Sequence, residues 1–419
     1  MRSIKTRLII MNFLQFAVWG SYLTSMGGYL FAKGEGDMIG WFYAMQGIVS
    51  MFMPAIMGII ADKWMPAQRL LGLCHAVSAI FIAAAGYFAE SDMIVPMFAL
   101  YSISVAFYMP TLALSNSVAY TSLEIGGYDT VKAFPPIRVF GTVGFIVAML
   151  ICDFAGFQAN HIQFYQCALI GVAMSLFTLL LPNCPVSNSV GNKSLMQRLG
   201  LDAFKLFKSK QMALFFIFSM LLGVSLQITN GFANSFITSF KNIPEFANTF
   251  GANHANALIS LSQVSETLCI LLIPFFLKRF GIKRVMLIAM FAWVLRFGLF
   301  GLGNPGSGLW MFILSMIVYG VAFDFFNISG SLFVNENTSG DMRSSAQGLF
   351  MIMTNGIGAT IGTLGAQAVV DKFVFSQPEG LAQVAGWSTA WYVFAAYALV
   401  VAVLFAIVFK YKHDPAKMQ

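Results

Sequence analysis

Four ionisable side chains, Arg138, Glu266, Arg296 and Asp324, fall inside stretches that are otherwise long and apolar enough to cross a lipid bilayer. A charge at the centre of a membrane helix costs roughly 2.5 to 3.5 kcal/mol on insertion scales. A chain that accepts this cost repeatedly implies a shielded polar cavity inside a helix bundle, where such groups meet a solute or carry a proton. Uncharged groups of complementary chemistry accompany them. Gln227-Ile-Thr-Asn230 sets two amides three residues apart, hence on one helical face, and Gln263 and Glu266 repeat the spacing. Amides and carboxylates offer the paired donors and acceptors needed by a ligand dense in hydroxyls and ring nitrogens; the competing use is hydrogen bonding between packed helices.

Tyr319 and Phe323 lie one turn apart and can form a flat wall for stacking a ring, or simply pack. Asp324, about halfway through the same stretch, stands where a carboxyl group can exchange a proton near neutral pH, as proton coupling requires. Another stretch begins Phe134-Pro135-Pro136-Ile137-Arg138, with Arg138, Thr142 and Phe145 on one face. Arg138 either snorkels to the headgroups or, if the prolines start the helix below the surface and it points inward, partners Asp324 or Glu266. Arg296 and His75 are expected to be structural, His75 as a hydrogen-bonded packing residue.

The elements that must position these groups are membrane helices. Of 419 residues, 58% are hydrophobic and 10% charged, against about a quarter charged in soluble chains, and the mean hydropathy is +0.77. The net charge of +7 is scattered over loops rather than gathered on one basic face, so it reads as membrane orientation and not as nucleic-acid binding. The five cysteines are odd in number and mostly within apolar stretches, so no disulfide framework follows.

Stretches of about 20 apolar residues lie near 8–31, 39–61, 70–89, 94–121, 134–153 and 162–181, then near 212–238, 256–277, 285–303, 309–334, 345–370 and 386–409. Arg2, Lys5 and Arg7 before the first run look like the start of a signal peptide, but the run is too long and lacks a small-residue cleavage site, so it is expected to remain as a span. The polar stretch between the sixth and seventh spans marks the division into an N-terminal bundle, 1–182, a central loop, 183–211, and a C-terminal bundle, 212–419. Within the loop, Leu201, Phe204 and Phe207 are spaced for one face of a short amphipathic helix over 199–207, lying on the membrane surface. Nineteen lysines and arginines fall in the loops of one side and only Lys33, Lys241 and Lys372 on the other, which places both termini and the central loop in the cytoplasm.

No GK dipeptide, HExxH or paired CxxC motif occurs. A P-loop is therefore absent, no cofactor or metal is expected, and an enzyme reading has no constellation to rest on. The driving force is then an ion gradient or none.

Gly58-Ile-Ile-Ala-Asp62-Lys63 with Arg69, and Lys278-Arg279-Phe-Gly281-Ile-Lys283-Arg284, follow the second helix of each half. Both resemble the loop signature of the major facilitator superfamily; the first departs from it at Pro66 and Ala67, where a glycine is expected. With the six-plus-six layout this implies an all-α polytopic membrane protein of twelve transmembrane helices in two six-helix bundles. Longer stretches resemble the bacterial nucleoside:proton symporters, the NupG-type and xanthosine permeases: Phe13-Leu-Gln-Phe, Ala61-Asp-Lys-Trp64, Phe134 to Arg138 with Gly141-Thr142-Val-Gly144-Phe145, Gly200-Leu-Asp-Ala-Phe204, Gln227 to Asn230, Ser262-Gln263 with Ser265-Glu266, Met316-Ile-Val-Tyr-Gly320, Phe323-Asp-Phe-Phe-Asn-Ile-Ser-Gly330 and Phe409-Lys410-Tyr411-Lys412. The resemblance implies nucleoside uptake across a bacterial inner membrane with protons moving the same way, by a carrier functional as a monomer. It further implies substrate contacts at Arg138, Thr142, Phe145, Gln227, Asn230, Gln263, Glu266, Tyr319 and Phe323, and proton coupling at Asp324 with Glu266. Ser225 and Gly231 stand at positions that vary among such proteins, leaving purine or pyrimidine preference open. The rival readings are a carrier of another polar solute, a sugar or a nucleobase, and a membrane receptor that binds nucleosides without moving them.

Overall fold

The computed structural model describes residues 4–186, 201–339 and 342–411. The described residues form helices joined by short turns, as a chain in hydrocarbon must, since its backbone polar groups find no water there. The helices gather into two compact units, Met1–Glu35 with Ile48–Leu199, and Gly36–Gly47 with Gly200–Gln419.

In the first unit the initial span is broken: α1 (Ile4–Gly20) and α2 (Met26–Ala32) are separated by a turn in which the Ser21 hydroxyl donates to the Ala17 carbonyl at 2.8 Å. After α3 (Ile39–Ser50), most of which belongs to the other unit, follow α4 (Met53–Lys63), α5 (Ala67–Glu90), α6 (Ile94–Ile125), α7 (Thr130–Phe154) and α8 (Ile162–Phe177). α1 packs along α7, and α5 against α6 and α8. Glycines set the first of these contacts: a Cβ on Gly20 would lie 2.8 Å from the Cα of Phe145, and one on Gly144 2.9 Å from the Cα of Phe13. Backbones this close need hydrogen side chains. α7 begins at Thr130, so Pro135 and Pro136 lie inside its opening turns instead of starting it. Arg138 is thereby carried about 12 Å along the helix. Three helices are also tied by polar groups. Gln15 donates to Thr111 Oγ1 at 2.7 Å, the Gln15 carbonyl accepts from the Tyr108 hydroxyl at 2.8 Å, and His75 Nε2 pairs with Gln15 Oε1 at 2.8 Å. His75 is a hydrogen-bonded packing residue, as its sequence context suggests.

The second unit contains α9 (Lys210–Leu226), α10 (Ile228–Ser239), α11 (Ala255–Leu302), α12 (Leu309–Asn337), α13 (Arg343–Met351), α14 (Ala359–Val370) and α15 (Leu381–Val408). α11 has 48 residues, about 72 Å of helix and more than twice the hydrocarbon thickness. It is two spans, and they part at Gly281, whose φ of 76° and ψ of 167° suit only glycine. The basic-glycine-basic loop is thus the point of reversal. A π-helical stretch, Ile352–Gly358, joins α13 to α14. This stretch and the start of α14 lie backbone to backbone on α9: a Cβ on Gly223 would stand 2.9 Å from the Cα of Thr354, and one on Gly362 2.6 Å from the Cα of Val224. The beginning of α3 joins this unit because the Gly40 N–H donates to Gln367 Oε1 at 2.6 Å and Gln367 Nε2 donates to the Gly36 carbonyl at 2.9 Å.

Among the described residues ten helices are long and apolar enough to cross a membrane. Dividing Ala255–Leu302 at Gly281 and rejoining α1 with α2 as one interrupted span recovers the expected twelve. The amphipathic stretch of the central loop is a 3-10 helix, Leu201–Lys208, in which Phe207 stacks on Phe216 of α9 with ring centres 5.5 Å apart. The loop residues 187–200 and both chain ends, which carry five of those nineteen lysines and arginines, lie outside the described residues.

Candidate functional site

The predicted residues divide between the units. Arg138, Thr142 and Phe145 occupy successive turns on one face of α7 in the first. The Arg138 guanidinium lies over the ring of Phe16, 3.9 Å from its centre, a cation–π contact strengthened by poor solvation. Gly141 leaves room for it, since a Cβ there would come within 2.7 Å of Arg138 Nη1. Thr142 is half-buried. Phe145 is buried and presents its edge to Trp19, with ring centres 6.2 Å apart at 89°; Trp19 leans in turn on Tyr108. This face supplies one cation, one hydroxyl and an aromatic surface.

The second unit holds the remaining seven. Gln227 is the residue at which α9 ends and α10 begins, so the amide pair sits at a helix interruption. Asn230 Nδ2 donates to Gln227 Oε1 at 2.9 Å. One amide orients the other and leaves the Gln227 amino group and the Asn230 oxygen for a ligand. On the first half of α11, Gln263 and Glu266 are half-buried. Among the described residues the Gln263 side chain makes no hydrogen bond.

α12 crosses α11 closely. A Cβ on Gly320 would fall 2.7 Å from Ser265 Oγ, and the Ser265 hydroxyl donates to the Ile317 carbonyl. The crossing sets Tyr319 beside the part of α11 that carries Glu266, on the helix that carries Asp324 and against the guanidinium of Arg296. Tyr319 and Phe323 stack as their spacing suggests, with ring centres 5.6 Å apart and planes at 10°. Asp324 follows on the same helix and is only 5% exposed.

Arg296 makes the structural contacts expected of it. It is 2% exposed, donates to the Ser315 carbonyl at 2.6 Å and reaches Ser262 Oγ at 3.5 Å. Ser315 returns a bond to the Arg296 carbonyl at 3.0 Å. The guanidinium plane also lies 4.6 Å from the ring centre of Tyr319. Arg296 therefore backs the aromatic wall as well as tying helices. Trp293, one turn earlier, meets Tyr319 edge to face at 6.0 Å and 87°. The spacing of Trp293, Arg296 and Phe300 on one face was the available signal; the identity of the ring that Trp293 and Arg296 meet was not.

Together the second unit gathers two linked amides, a third amide, two carboxyl groups, a buried cation and a flat aromatic pair. Such a set can hold hydroxyls and ring-edge polar atoms, cover a planar base and take up a proton. Among the described residues no three His, Cys, Asp or Glu side chains gather as a metal site.

The sequence pattern of the family described as "Nucleoside H+ symporter" matches residues 2–414. The chain is 48% identical over 414 residues to Nucleoside permease NupG of Escherichia coli (strain K12), covering 98% of this chain and 97% of that one. It is also 48% identical over 420 residues to the Xanthosine permease of the same strain, covering 100% and 98%. A crystal structure of nucleoside transporter NupG superposes with a TM-score of 0.89 at 47% identity, covering 98% of this chain and 100% of that one. A crystal structure of a D-xylose-proton symporter has a TM-score of 0.70 at 12% identity, covering 99% of each chain; at that identity the likeness concerns the fold, a major facilitator fold, alone.

Proposed function

Because this chain belongs to the nucleoside H+ symporter family, we propose that it imports nucleosides across the membrane together with protons, and that the charged and aromatic cluster around Tyr319 is its coupling centre. The observation that carries this assignment is the stacked pair of Tyr319 and Phe323, with the Arg296 guanidinium 4.6 Å from the Tyr319 ring centre and the buried carboxyl group of Asp324 next in the same helix.

In this reading Gln227, Asn230, Gln263 and Glu266 hold ribose hydroxyls and base edges, while Tyr319 and Phe323 cover the base. Arg138, Thr142 and Phe145 supply the cation, hydroxyl and ring of the first unit. Asp324 takes the proton. A buried carboxylate is costly to move through low-dielectric surroundings, and protonation removes that cost. The loaded site can then be exposed to one face of the membrane and afterwards to the other. The reading takes 1–182 and 212–419 as its two bundles, a monomer as the functional unit, and an inner membrane with both termini in the cytoplasm, the last supported by the uneven distribution of lysine and arginine.

Purified protein in vesicles with an imposed pH gradient tests the assignment. One pH unit corresponds to about tenfold accumulation per coupled proton. The parent chain should concentrate labelled nucleoside to that order, whereas Asp324→Asn should exchange nucleoside without concentrating it. If Asp324→Asn accumulates as the parent does, Asp324 is not the coupling group. Saturable binding without accumulation by the parent would instead identify a receptor.

A further inference from the structure

Beside the aromatic wall, and inside the second unit, is a narrow cleft that none of the predicted substrate-binding residues except Phe323 borders. It runs between α9, the returning half of α11, α12 and the π-helical stretch, and is lined by Leu226, Trp293, Phe323, Phe326, Asn327 and Thr354 among others. Its space is about 230 Å³ counting the open mouth. Much of that lies outside the enclosed part, so the cleft admits a substituent on the edge of a ring rather than a whole nucleoside.

Two residues that border it carry polar groups without a hydrogen-bond partner among the described residues. The Trp293 side chain is fully buried, and its indole N–H has no hydrogen-bond partner among the described residues. Asn327 is half-buried, and its amide likewise makes no hydrogen bond among the described residues. Thr354, by contrast, is satisfied by the Phe350 carbonyl at 2.8 Å. A buried N–H without a partner is uncommon in a folded chain and costs stability. Trp387 and Trp391 also carry unbonded N–H groups, but they pack with each other and with Phe236, away from this cleft. Trp293 and Phe323 both touch Tyr319, one by its edge and one by its face. A base lying along the wall would therefore present an edge to the cleft. The wall of the cleft is also held firmly, by the approach of Gly223 to Thr354, and π-helical turns recur at functional positions.

We propose that the cleft between Trp293 and Asn327 receives an exocyclic oxygen of the nucleobase and thereby sets which nucleosides are carried. This rests on the nucleoside reading above. An indole N–H can only donate, so it pairs with a carbonyl oxygen and leaves an exocyclic amino group facing another donor. Asn327 can turn its oxygen or its amino group toward the ligand, so it binds either edge and adds affinity without choosing. The selection comes from Trp293, because a site built to bond one group rejects the analogue that cannot return the bond. Uridine and inosine carry such an oxygen where cytidine and adenosine carry an amino group.

The test needs first the unmodified protein. Uptake of labelled uridine in vesicles is competed with unlabelled uridine, inosine, cytidine, adenosine and the pyrimidin-2-one riboside, which lacks the 4-oxygen. Uridine and inosine should compete about tenfold better than the other three, the effect of one well-placed hydrogen bond. Equal competition by all five overturns the proposal while leaving nucleoside transport intact. Absence of uptake for every nucleoside overturns the functional reading and the cleft with it, so the two failures differ. Trp293→Phe keeps the ring and removes the donor. It should weaken uridine and inosine about tenfold relative to cytidine and adenosine, and thermal unfolding of the purified variant checks that it folds. A parallel loss for all four, or no change for any, also overturns the assignment.

Discussion

Replacing Arg296 separates what the residue does for the fold from what it does for the aromatic wall. Its side chain makes one short charged bond, to the Ser315 carbonyl at 2.6 Å, a long one to Ser262 at 3.5 Å, and a face contact with Tyr319 at 4.6 Å. A hydrogen bond to a charged group contributes about 1.5 to 3 kcal/mol, and a desolvated cation–π contact up to about 2 kcal/mol. Arg296→Lys keeps the charge but not the plane or the fork. It should lose most of the face contact and part of the bond, about 2 to 3 kcal/mol of stability. Tyr319 then has no flat partner on that side, and about 1 kcal/mol of lost positioning corresponds to a rise of roughly fivefold in KM. Arg296→Met removes the charge altogether. Its stability cost should be smaller than that of lysine, because the buried cation no longer has to be desolvated, yet uptake should fall further, since no charge remains beside the face of Tyr319. The assays are thermal unfolding of the purified protein and initial uptake rates across a nucleoside concentration series. The reasoning is refuted if lysine destabilises the protein while KM stays at the parent value, or if methionine transports better than lysine.

Three further outcomes follow from the packing. Gly223→Val places a branched side chain against the backbone of Thr354 and should destabilise the protein by about 1 to 3 kcal/mol, read as a lower unfolding temperature; an unchanged temperature would mean that α9 and the π-helical stretch separate freely. Gly281→Ala forces a side chain into positive φ and should cost about 1 to 3 kcal/mol, again by thermal unfolding, with the nucleoside KM of the folded fraction unaltered. His75→Phe fills the space but leaves Gln15 Oε1 without its 2.8 Å partner; a loss of about 1 to 3 kcal/mol is expected, with no change in the pH dependence of uptake. A shifted pH profile would instead make His75 part of the proton path.

Much of this molecule was written in its hydropathy. Runs of about 20 apolar residues fix helices wherever hydrocarbon is the solvent, because no other local structure satisfies the backbone. That is why the spans could be placed within a few residues. Residue type likewise singled out Glu266 and Asp324 as candidates, since a carboxyl group in a span has few uses besides binding and proton transfer, and the four-residue spacing of Tyr319 and Phe323 was enough to stack their rings. The sequence could not disclose where helices break. Gln227 falls at an interruption, Pro135 and Pro136 lie inside α7 rather than at its start, and span eleven carries a π-helical turn. Each is a compromise between local propensity and a neighbouring backbone, and local sequence contains only half of that balance.

Tertiary structure alone decided which groups share a neighbourhood. Arg296 and Tyr319 are distant in sequence, and nothing in either segment says that one lies over the other; the reciprocal bonds between Arg296 and Ser315, one turn before Tyr319, bring them there. The unbonded indole of Trp293 is a fact of the same kind. Composition specifies which donors and acceptors a chain owns. Only the packed helices determine which of them are already spent on each other and which remain for a ligand.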